Sequence, residues 1–424
     1  MDAYLGIDFG TSGCRCCVID GHGQWLETVR QALPAPLRRD SAVEQQPEIW
    51  WTALGDCLDR LGTRLDLSRI RAICIDGTSS TLLLCDASGR PLSPALMYND
   101  SRARKAAADV AAVAPVAAAA HGASASLAKL LWLLDTPAAD QAAHALHQAD
   151  WLTGRLCGRF GVSDENNALK LGYDPSARRW PDWLQQLPVP AALLPDVVPA
   201  GHNLGPLTTD ACQRWGFRPD TRVVSGTTDS TASFIATGAG RGDAVTALGS
   251  TLVLKILSEH PVSDPEHGVY SQRLGDHWLV GGASNSGGAV LAQFFDREAI
   301  DRYTASLQID RPTGLDYYPL PATGERFPVN DPSLAPRLTP RPADDAVFFQ
   351  GILEGITAIE ARGYALLEAL GAPAPTRILT TGGGAVNAGW RLMRERALGV
   401  PVMTAEQQEA AYGAALLAMR SDSP

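Results

Sequence analysis

The chain of 424 residues lacks any apolar run approaching the ~20 residues that a membrane-spanning helix needs. Its first predicted strand begins near Tyr4, which leaves no room for a signal peptide. Positive charge is also scarce, because 36 Lys and Arg stand against 46 Asp and Glu, a formal charge of −10. An acidic surface does not attract nucleic acid or anionic lipid. We therefore predict a cytoplasmic protein with neither nucleic acid nor membrane as a partner.

Paired metal-binding cysteines and the commonest nucleotide-binding motifs are missing as well. Among the eight cysteines, no second ligand pair with zinc-like spacing follows Cys14, Cys16 and Cys17. Cys14, Cys16 and Cys17 share a predicted strand, where alternate side chains point to opposite faces, so we predict reduced, partly buried thiols rather than zinc ligands. The P-loop pattern does not occur, and TGGGAVN at 381 has consecutive glycines instead of the GxGxxG spacing of a dinucleotide site.

Two hairpins of the same pattern divide the chain. Residues 5–20, LGIDFGTSGCRCCVID, predict a strand, a glycine-and-hydroxyl turn and a second strand, the start of a three-strand meander over 4–30. Residues 244–255 repeat strand, turn and strand directly after the glycine-rich segment 238–242. The chain is long for one hydrophobic core. We predict two domains, 1–240 and 241–424.

Helices and strands alternate after each hairpin. Pro47 is suited to the first position of a helix, where its missing N–H costs nothing. The alanine-rich segment 101–120 predicts a helix, since alanine is the best helix former. Further helices are expected near 143–157 and over about 343–370.

Three glycine-and-hydroxyl turns are candidate phosphate sites: GTSG at 10, GST at 249 and TGGG at 381. Without Cβ atoms, successive N–H groups can converge on an anion. Any one such turn is more often a plain connector between strands. Two equivalent hairpins together with a third glycine loop that enters a helix favour a bound nucleotide.

Two aspartates stand at the ends of apolar strands. Asp8 closes the first strand, where a carboxylate is costly to desolvate unless a structural partner or a ligand faces it. Asp229, in GTTDS, precedes a predicted helix from Ser230, so its residue type and position by themselves favour a helix N-cap.

Taken together, the motifs resemble the FGGY carbohydrate kinases, within the superfamily of sugar kinases, Hsp70 and actin, over nearly the whole chain. The resemblance implies an α/β fold of two ribonuclease-H-like, actin-like ATPase domains around a central nucleotide cleft. The segments that carry it are LGIDFGTSGCR at 5, VEQQPEIWW at 43, YNDSRA at 98, SLAKLLWLL at 126, QADWLTGRLCG at 148, SDENNALKLGYD at 163, GTTDS at 226, ALGST at 247, GERFPVNDP at 324, TGGGAVNAGW at 381 and EAAYGAALLA at 409.

The same resemblance implies ATP and Mg²⁺ as cofactors and assigns roles to individual residues. Asp229 would be the catalytic base and contact the sugar, and Asp8 would lie near both Mg²⁺ and the sugar. The phosphates would face Thr11, Ser12 and Gly13 from one domain and Gly249, Ser250 and Thr251 from the other. Gly383, Gly384 and Asn387 would surround the adenosine. Trp390, one turn after Asn387, could flank that pocket, although a helix tryptophan is more often core.

The expected sugar pocket departs from the pattern of xylulose kinases. Where those carry Met-His-Gly, this chain continues from Asp76 with Gly77-Thr78-Ser79-Ser80, and we place Ser79 among the sugar ligands. This variant resembles the small D-ribulose kinases, so we expect phosphorylation of D-ribulose at O5 by a monomer or homodimer. The alternatives are a D-xylulose kinase, an Hsp70- or actin-like ATPase, and a sugar-responsive regulator without kinase activity.

Overall fold

The computed structural model describes residues 2–421 and contains two compact units. The first unit runs to Ala236 and includes the chain again from Glu409 onward, whereas the second comprises Thr237–Gln408. The predicted second domain, 241–424, is therefore not one compact unit. Its last helix belongs to the first unit, for reasons of packing described below.

The strands are β1 (Ala3–Phe9), β2 (Gly13–Asp20), β3 (Trp25–Ala32), β4 (Leu37–Arg39), β5 (Ala42–Gln45), β6 (Ile70–Gly77), β7 (Leu82–Cys85), β8 (Ala95–Leu96), β9 (His144–His147), β10 (Val162–Asp164), β11 (Asp196–Val198), β12 (Asn203–Pro206), β13 (Arg222–Thr228), β14 (Asp243–Leu248), β15 (Leu252–Ser258), β16 (Tyr270–Leu274), β17 (His277–Ser284), β18 (Arg377–Thr381) and β19 (Val402–Thr404). The α-helices are α1 (Pro47–Gly62), α2 (Arg104–Val113), α3 (Ser126–Leu134), α4 (Gln148–Cys157), α5 (Glu165–Ala168), α6 (Thr209–Trp215), α7 (Asp229–Ala236), α8 (Gly288–Phe294), α9 (Arg297–Ala305), α10 (Asp345–Ala369), α11 (Ala388–Leu398) and α12 (Ala410–Arg420).

The main sheet of the first unit has the strand order β12-β13-β6-β1-β2-β3. β1, β2 and β3 form the antiparallel meander that the sequence predicts, and β6 and β13 extend the sheet parallel to β1. Apolar residues of β1 such as Leu5 and Ile7 pack with Trp50 and Leu54 of α1 in one buried cluster. The parallel strands β1, β6 and β13 therefore end side by side at one edge of the sheet.

Helix α12 lies against the other face of β1 and against α7 with glycines at both contacts. A Cβ atom on Gly6 of β1 would lie 1.9 Å from the carbonyl oxygen of Ala411, and one on Gly413 would lie 1.9 Å from that of Ala232. Only residues without side chains permit this approach. The close fit explains why the end of the chain packs with the first unit.

The second unit repeats the topology of the first. Its sheet has the order β16-β17-β15-β14-β18-β19, in which β14, β15 and β17 form an antiparallel meander and β18 and β19 continue parallel to β14. β16 is an added edge strand. Helix α10 packs its apolar residues, including Phe348, Phe349 and Ile352, into the buried cluster on this sheet. Both units thus have the expected α/β fold with a shared strand order.

Two predicted helices are wrong in part. The alanine-rich segment 101–120 is helical only over α2, because Pro115 disfavours the helical conformation of Ala114, whose ψ is 137°. The segment near 143–157 begins as strand β9, which pairs with β7, and becomes helical only at Gln148. Tertiary pairing outweighs local helix preference there.

Among residues 2–421, no helix combines the length and hydrophobicity that a membrane crossing requires.

Candidate functional site

Three aspartates lie where the parallel strands of the first unit end. Asp8 of β1 pairs in register with Asp76 of β6, and Asp229 directly follows β13, whose Thr228 pairs with Gly77. Asp8 and Asp229 are distant in sequence, yet the charge of Asp229 acts on both other carboxyls. Asp76 is not among the predicted site residues, although it ends an apolar strand just as Asp8 does.

Burial raises the pKa of both Asp8 and Asp76. Asp76 is fully buried, and desolvation holds its pKa well above the usual value, with further upward contributions from Asp8 and Asp229. Desolvation also raises the pKa of Asp8, against the lowering effects of the adjacent Asp76 carboxyl group and of Arg15. Two adjacent carboxyls in such a place cannot both ionise without a cation. The pair therefore shares a proton or binds a cation.

These carboxyls fit Mg²⁺, which prefers oxygen ligands and is usually held by one or two carboxylates together with water and phosphate oxygens. Within residues 2–421, neither carboxylate oxygen of Asp76 has a hydrogen-bond donor as its partner. If either Asp8 or Asp76 is protonated, the two carboxyl groups can bond to each other. The side chain of Asp8 is 16% exposed. Asp8 can therefore reach a ligand, with Asp76 behind it.

Asp229 is the first residue of α7 and is half-buried. Its Oδ1 accepts a hydrogen bond from the backbone N–H of Ser230 at 2.6 Å. The positive end of the helix dipole favours a carboxylate at this position. Asp229 thus lies inside the first turn of α7 rather than at the predicted N-cap position, and at the edge where Asp8 and Asp76 meet.

Arg15 is opposite Asp8 in the first hairpin and lies 4.0 Å from its carboxylate. It also forms an ion pair with Glu409, just before α12. Arg15 therefore links the hairpin to the end of the chain.

The turn between β1 and β2 is exposed beside Asp8. Its ends are closed by a hydrogen bond from the Gly10 N–H to the Gly13 carbonyl at 3.0 Å, and Ser12 is exposed. Thr11, Ser12 and Gly13 are therefore presented by a fixed turn two residues after the aspartate.

Ser79 is half-buried just past the end of β6, in a tight turn over Thr78–Thr81. The position places it near the carboxyl end of the strand that carries Asp76, as a sugar ligand would require.

A cavity of about 620 Å³ lies within the second unit, a size typical of small-molecule sites. Its walls include five residues predicted to bind the nucleotide: Gly249, Ser250, Gly383, Gly384 and Asn387. Thr251 is not among the lining residues. Gly384 has to be a glycine, since a Cβ there would lie 2.8 Å from the Cβ of Leu248 and 2.9 Å from the ring of Trp390.

Asn387 has a structural role that the sequence analysis did not foresee. Its Oδ1 accepts a hydrogen bond from the Trp390 N–H at 2.8 Å as the N-cap of α11, and its Nδ2 donates to Thr304 at 3.0 Å. Asn387 therefore shapes the cavity wall with its amide already bonded. Trp390 fits both alternatives, because it is 3% exposed with its Nε1 donating to Thr357 at 2.9 Å and it also lines the cavity.

The wall contributed by α9 was missed in the sequence. Arg297, Ile300, Asp301 and Thr304 line the cavity from this helix, and Val386 lines it from the glycine loop with 79% exposure. An exposed apolar side chain in such a cavity suits contact with a flat ring. The α9 segment carries no glycine-rich turn that could have marked it.

The cysteines are buried or half-buried throughout. Strand alternation places Cys14 and Cys16 on one face of β2, where Cys57 of α1 joins them with the three Sγ atoms within 4.8 Å of one another. The sequence analysis did not foresee the third thiol. All three are at most 1% exposed and belong to the apolar core of the first unit.

Comparisons with known proteins agree with this architecture. The chain is 27% identical to the xylulose kinase of Escherichia coli (strain K12) over 99% of its own length and 90% of that protein, and 25% identical to the gluconokinase of Bacillus subtilis (strain 168) over 99% and 88%. The crystal structure of a xyloylose kinase from Brucella ovis matches with a TM-score of 0.91 at 25% identity, over 99% of this chain and 90% of that one.

The family models place the chain more firmly than any single relative. Residues 3–236 match the N-terminal domain of the FGGY family of carbohydrate kinases, and residues 244–421 match its C-terminal domain. The chain therefore belongs to the FGGY family of carbohydrate kinases and is a sugar kinase.

Proposed function

We propose that this sugar kinase transfers the γ-phosphoryl group of ATP to a hydroxyl of a ketopentose. The observation that carries the proposal is the meeting of Asp8, Asp76 and Asp229 at one edge of the first unit. Phosphoryl transfer needs an oriented hydroxyl, a proton acceptor and neutralisation of phosphate charge. Acidic groups of unequal burial at one site suit these tasks.

Asp229 is the general base of the proposed reaction. As the sugar oxygen attacks the γ-phosphorus, the bond from that phosphorus to the bridging oxygen of ADP breaks and the hydroxyl proton moves to the Asp229 carboxylate. Its half-exposed position allows contact with a substrate. Asp8 would hold Mg²⁺ with Asp76 behind it. The bound ion would neutralise charge on the phosphate oxygens.

ATP is the proposed phosphoryl donor, with its adenosine in the cavity of the second unit lined by Gly383, Gly384 and Val386. Gly249, Ser250 and Thr251, together with Thr11, Ser12 and Gly13, are the proposed phosphate-binding turns. Ser12, Gly249 and Ser250 are exposed and the other three residues are half-buried, so both turns are accessible to a ligand, which supports this assignment.

We propose D-ribulose, phosphorylated at O5, as the sugar. The support is the Thr78–Thr81 turn, where Ser79 stands in place of the bulkier Met-His-Gly of xylulose kinases. D-xylulose is the second candidate, favoured by the xylulose kinases among the relatives. The two epimers differ at one hydroxyl, so one or two hydrogen bonds decide between them.

A coupled assay of ADP release with D-ribulose, D-xylulose, L-ribulose, glycerol and D-gluconate tests the proposal. We expect the largest kcat/KM for a ketopentose, with a 5-phosphate as product. Sugar-independent ATP turnover would favour an Hsp70- or actin-like ATPase. Nucleotide binding with no turnover on any sugar would favour a regulator.

Replacing the proposed base tests the mechanism. We expect Asp229→Ala to lower kcat about 100-fold or more, the usual contribution of a general base, while ADP affinity stays within about twofold. Asp210→Ala is the matched control, because Asp210 also lies in the first turn of a helix but is exposed on α6. Retention of most activity in Asp229→Ala would reduce Asp229 to a helix-terminus residue.

A further inference from the structure

Lys129 of α3 is a cation enclosed in the first unit, with 0% exposure. Its Nζ donates to the carbonyl oxygens of Ser80 at 2.7 Å, Met97 at 2.7 Å and Tyr98 at 3.3 Å. An ammonium group has three donors, so all of them are used on backbone. Lys129 thereby joins two loops, one after β6 and one after β8.

Among residues 2–421, no carboxylate forms an ion pair with Lys129. Asp100, whose charge reaches Lys129, is bound instead by Arg102 at 2.7 Å. Desolvation lowers the pKa of Lys129 to about 7. An apolar residue of similar size would stabilise such a place better than an unpaired ammonium. The role of Lys129 is therefore to bind the backbone of the two loops rather than to stabilise the core.

One of the loops it holds is the tight turn Thr78–Thr81. Ser80 lies in the left-handed region at φ 66°, which costs strain in any residue with a side chain. The carbonyl oxygen of Ser80 accepts a hydrogen bond from the Nζ of Lys129 at 2.7 Å. At the start of the turn, the Gln148 side chain accepts hydrogen bonds from the N–H and hydroxyl of Thr78, at 3.1 and 2.9 Å. Two buried side chains thus fix one short turn.

The turn has polar groups left for a ligand. Ser79 is half-buried at the edge where the aspartates meet. Among the described residues, the Oγ of Ser80 is buried and has no hydrogen-bond partner. A turn that is rigid before the ligand arrives loses little entropy on binding and discriminates between similar hydroxyl arrangements.

We propose that Lys129 is a positioning residue, which fixes the Thr78–Thr81 turn so that its serines recognise a sugar hydroxyl. This inference rests on the proposed function of the same unit. It assigns sugar affinity and the choice between epimers to a lysine that does not itself touch the sugar.

The kinetic test compares Lys129→Met with Lys129→Gln and the wild type. We expect Lys129→Met to raise the KM for the preferred ketopentose about tenfold or more, the cost of one misplaced hydrogen bond, with the KM for ATP unchanged. The ratio of kcat/KM values for D-ribulose and D-xylulose should move towards one. Lys129→Gln keeps two hydrogen-bond donors, so its KM for the ketopentose should lie between those of the wild type and Lys129→Met. This variant also keeps the test possible if Lys129→Met folds poorly.

Lys105→Met is the matched control, because Lys105 is exposed on α2. Equal increases in the KM for sugar and for ATP, or wild-type discrimination in both Lys129 variants, would overturn the proposal.

Hydrogen–deuterium exchange provides a readout that does not depend on turnover. We expect peptides covering residues 78–84 to exchange faster in both Lys129 variants, while peptides from β1 remain unchanged. Unaltered exchange in 78–84 would overturn the role of Lys129 even if no sugar were phosphorylated. Failure of wild-type turnover with altered exchange would instead count against the proposed function alone.

Discussion

Single residues at the edge of the first sheet differ in burial and in their charged neighbours. Asp76 is enclosed and its pKa is raised well above the usual value, whereas Asp8 in front of it is partly exposed and close to Arg15. Asp76, which lies behind Asp8, can keep its proton until a cation binds, because metal binding releases protons from the ligand groups.

Asp76→Asn tests this arrangement. The amide has nearly the same volume but cannot ionise, so we expect the Mg²⁺ concentration for half-maximal rate to rise about tenfold, a usual effect of losing a partner behind a metal ligand. The melting temperature should not fall, because a neutral group is easier to bury. Asp109→Asn, at an exposed position of α2, is the control. An unchanged Mg²⁺ requirement would make Asp76 purely structural.

Lys129 predicts a pH dependence of stability. Its pKa falls from 10.5 to about 7 on folding, so between these values the unfolded chain binds more protons and stability rises with pH. We expect the wild type to gain a few kcal/mol over Lys129→Met between pH 7 and pH 10, at about 1.4 kcal/mol per pKa unit. Asp100 opposes the shift, and Lys170 and Arg102 add to it. Chemical denaturation at several pH values measures the difference, and a constant difference would contradict the shifted pKa.

Whole elements are positioned by close backbone contacts as well as by apolar burial. α12 approaches β1 and α7 this closely because Gly6 and Gly413, one at each contact, carry no Cβ atoms. The helix also supports the site, since Glu409 before it pairs with Arg15 beside Asp8. Packing at the end of the chain is thus connected to the aspartates at its beginning.

Gly413→Ala should therefore destabilise the first unit. The added methyl group would meet the Ala232 carbonyl, and overpacking of this kind costs about 1–3 kcal/mol. Gly62→Ala is the matched control, because Gly62 is exposed at the end of α1 and its Cβ would lie 3.6 Å from the nearest atom. Thermal unfolding should show a lower melting temperature for Gly413→Ala and an equal or higher one for Gly62→Ala. Equal effects of the two substitutions would contradict the tight contact.

At the scale of the whole molecule, the same sheet topology occurs in both units, but each unit carries a different functional feature. The first unit carries the aspartates at the ends of its parallel strands, and the second carries the cavity beside its glycine loop. Because these features belong to separate compact units, acceptor and nucleotide binding can be observed separately.

ADP should stabilise the second unit most. At 100 times its Kd, a ligand adds about 2.7 kcal/mol to the stability of the state that binds it. We expect hydrogen exchange to slow in peptides from α9 and from residues 383–398 on addition of ADP, in the wild type and in Asp229→Ala alike. Slower hydrogen exchange in the first unit alone would contradict the assignment of the cavity as the adenosine site.

The sequence by itself determined the elements that depend on neighbours in the chain. Alternating apolar residues and glycine turns predict both hairpins, because strand pattern and turn chemistry act over a few residues. Motifs in a constant order also identified the family, and with it Asp8, Asp229 and most of the cavity's glycines.

The features that depend on contacts between distant segments were decided only by the tertiary structure. It placed Asp76 with the other aspartates, tied Asn387 into its helix cap, enclosed Lys129 among backbone carbonyls and returned α12 to the first unit. None of these follows from local pattern, because each depends on the burial and hydrogen bonding of groups that meet only when distant segments pack.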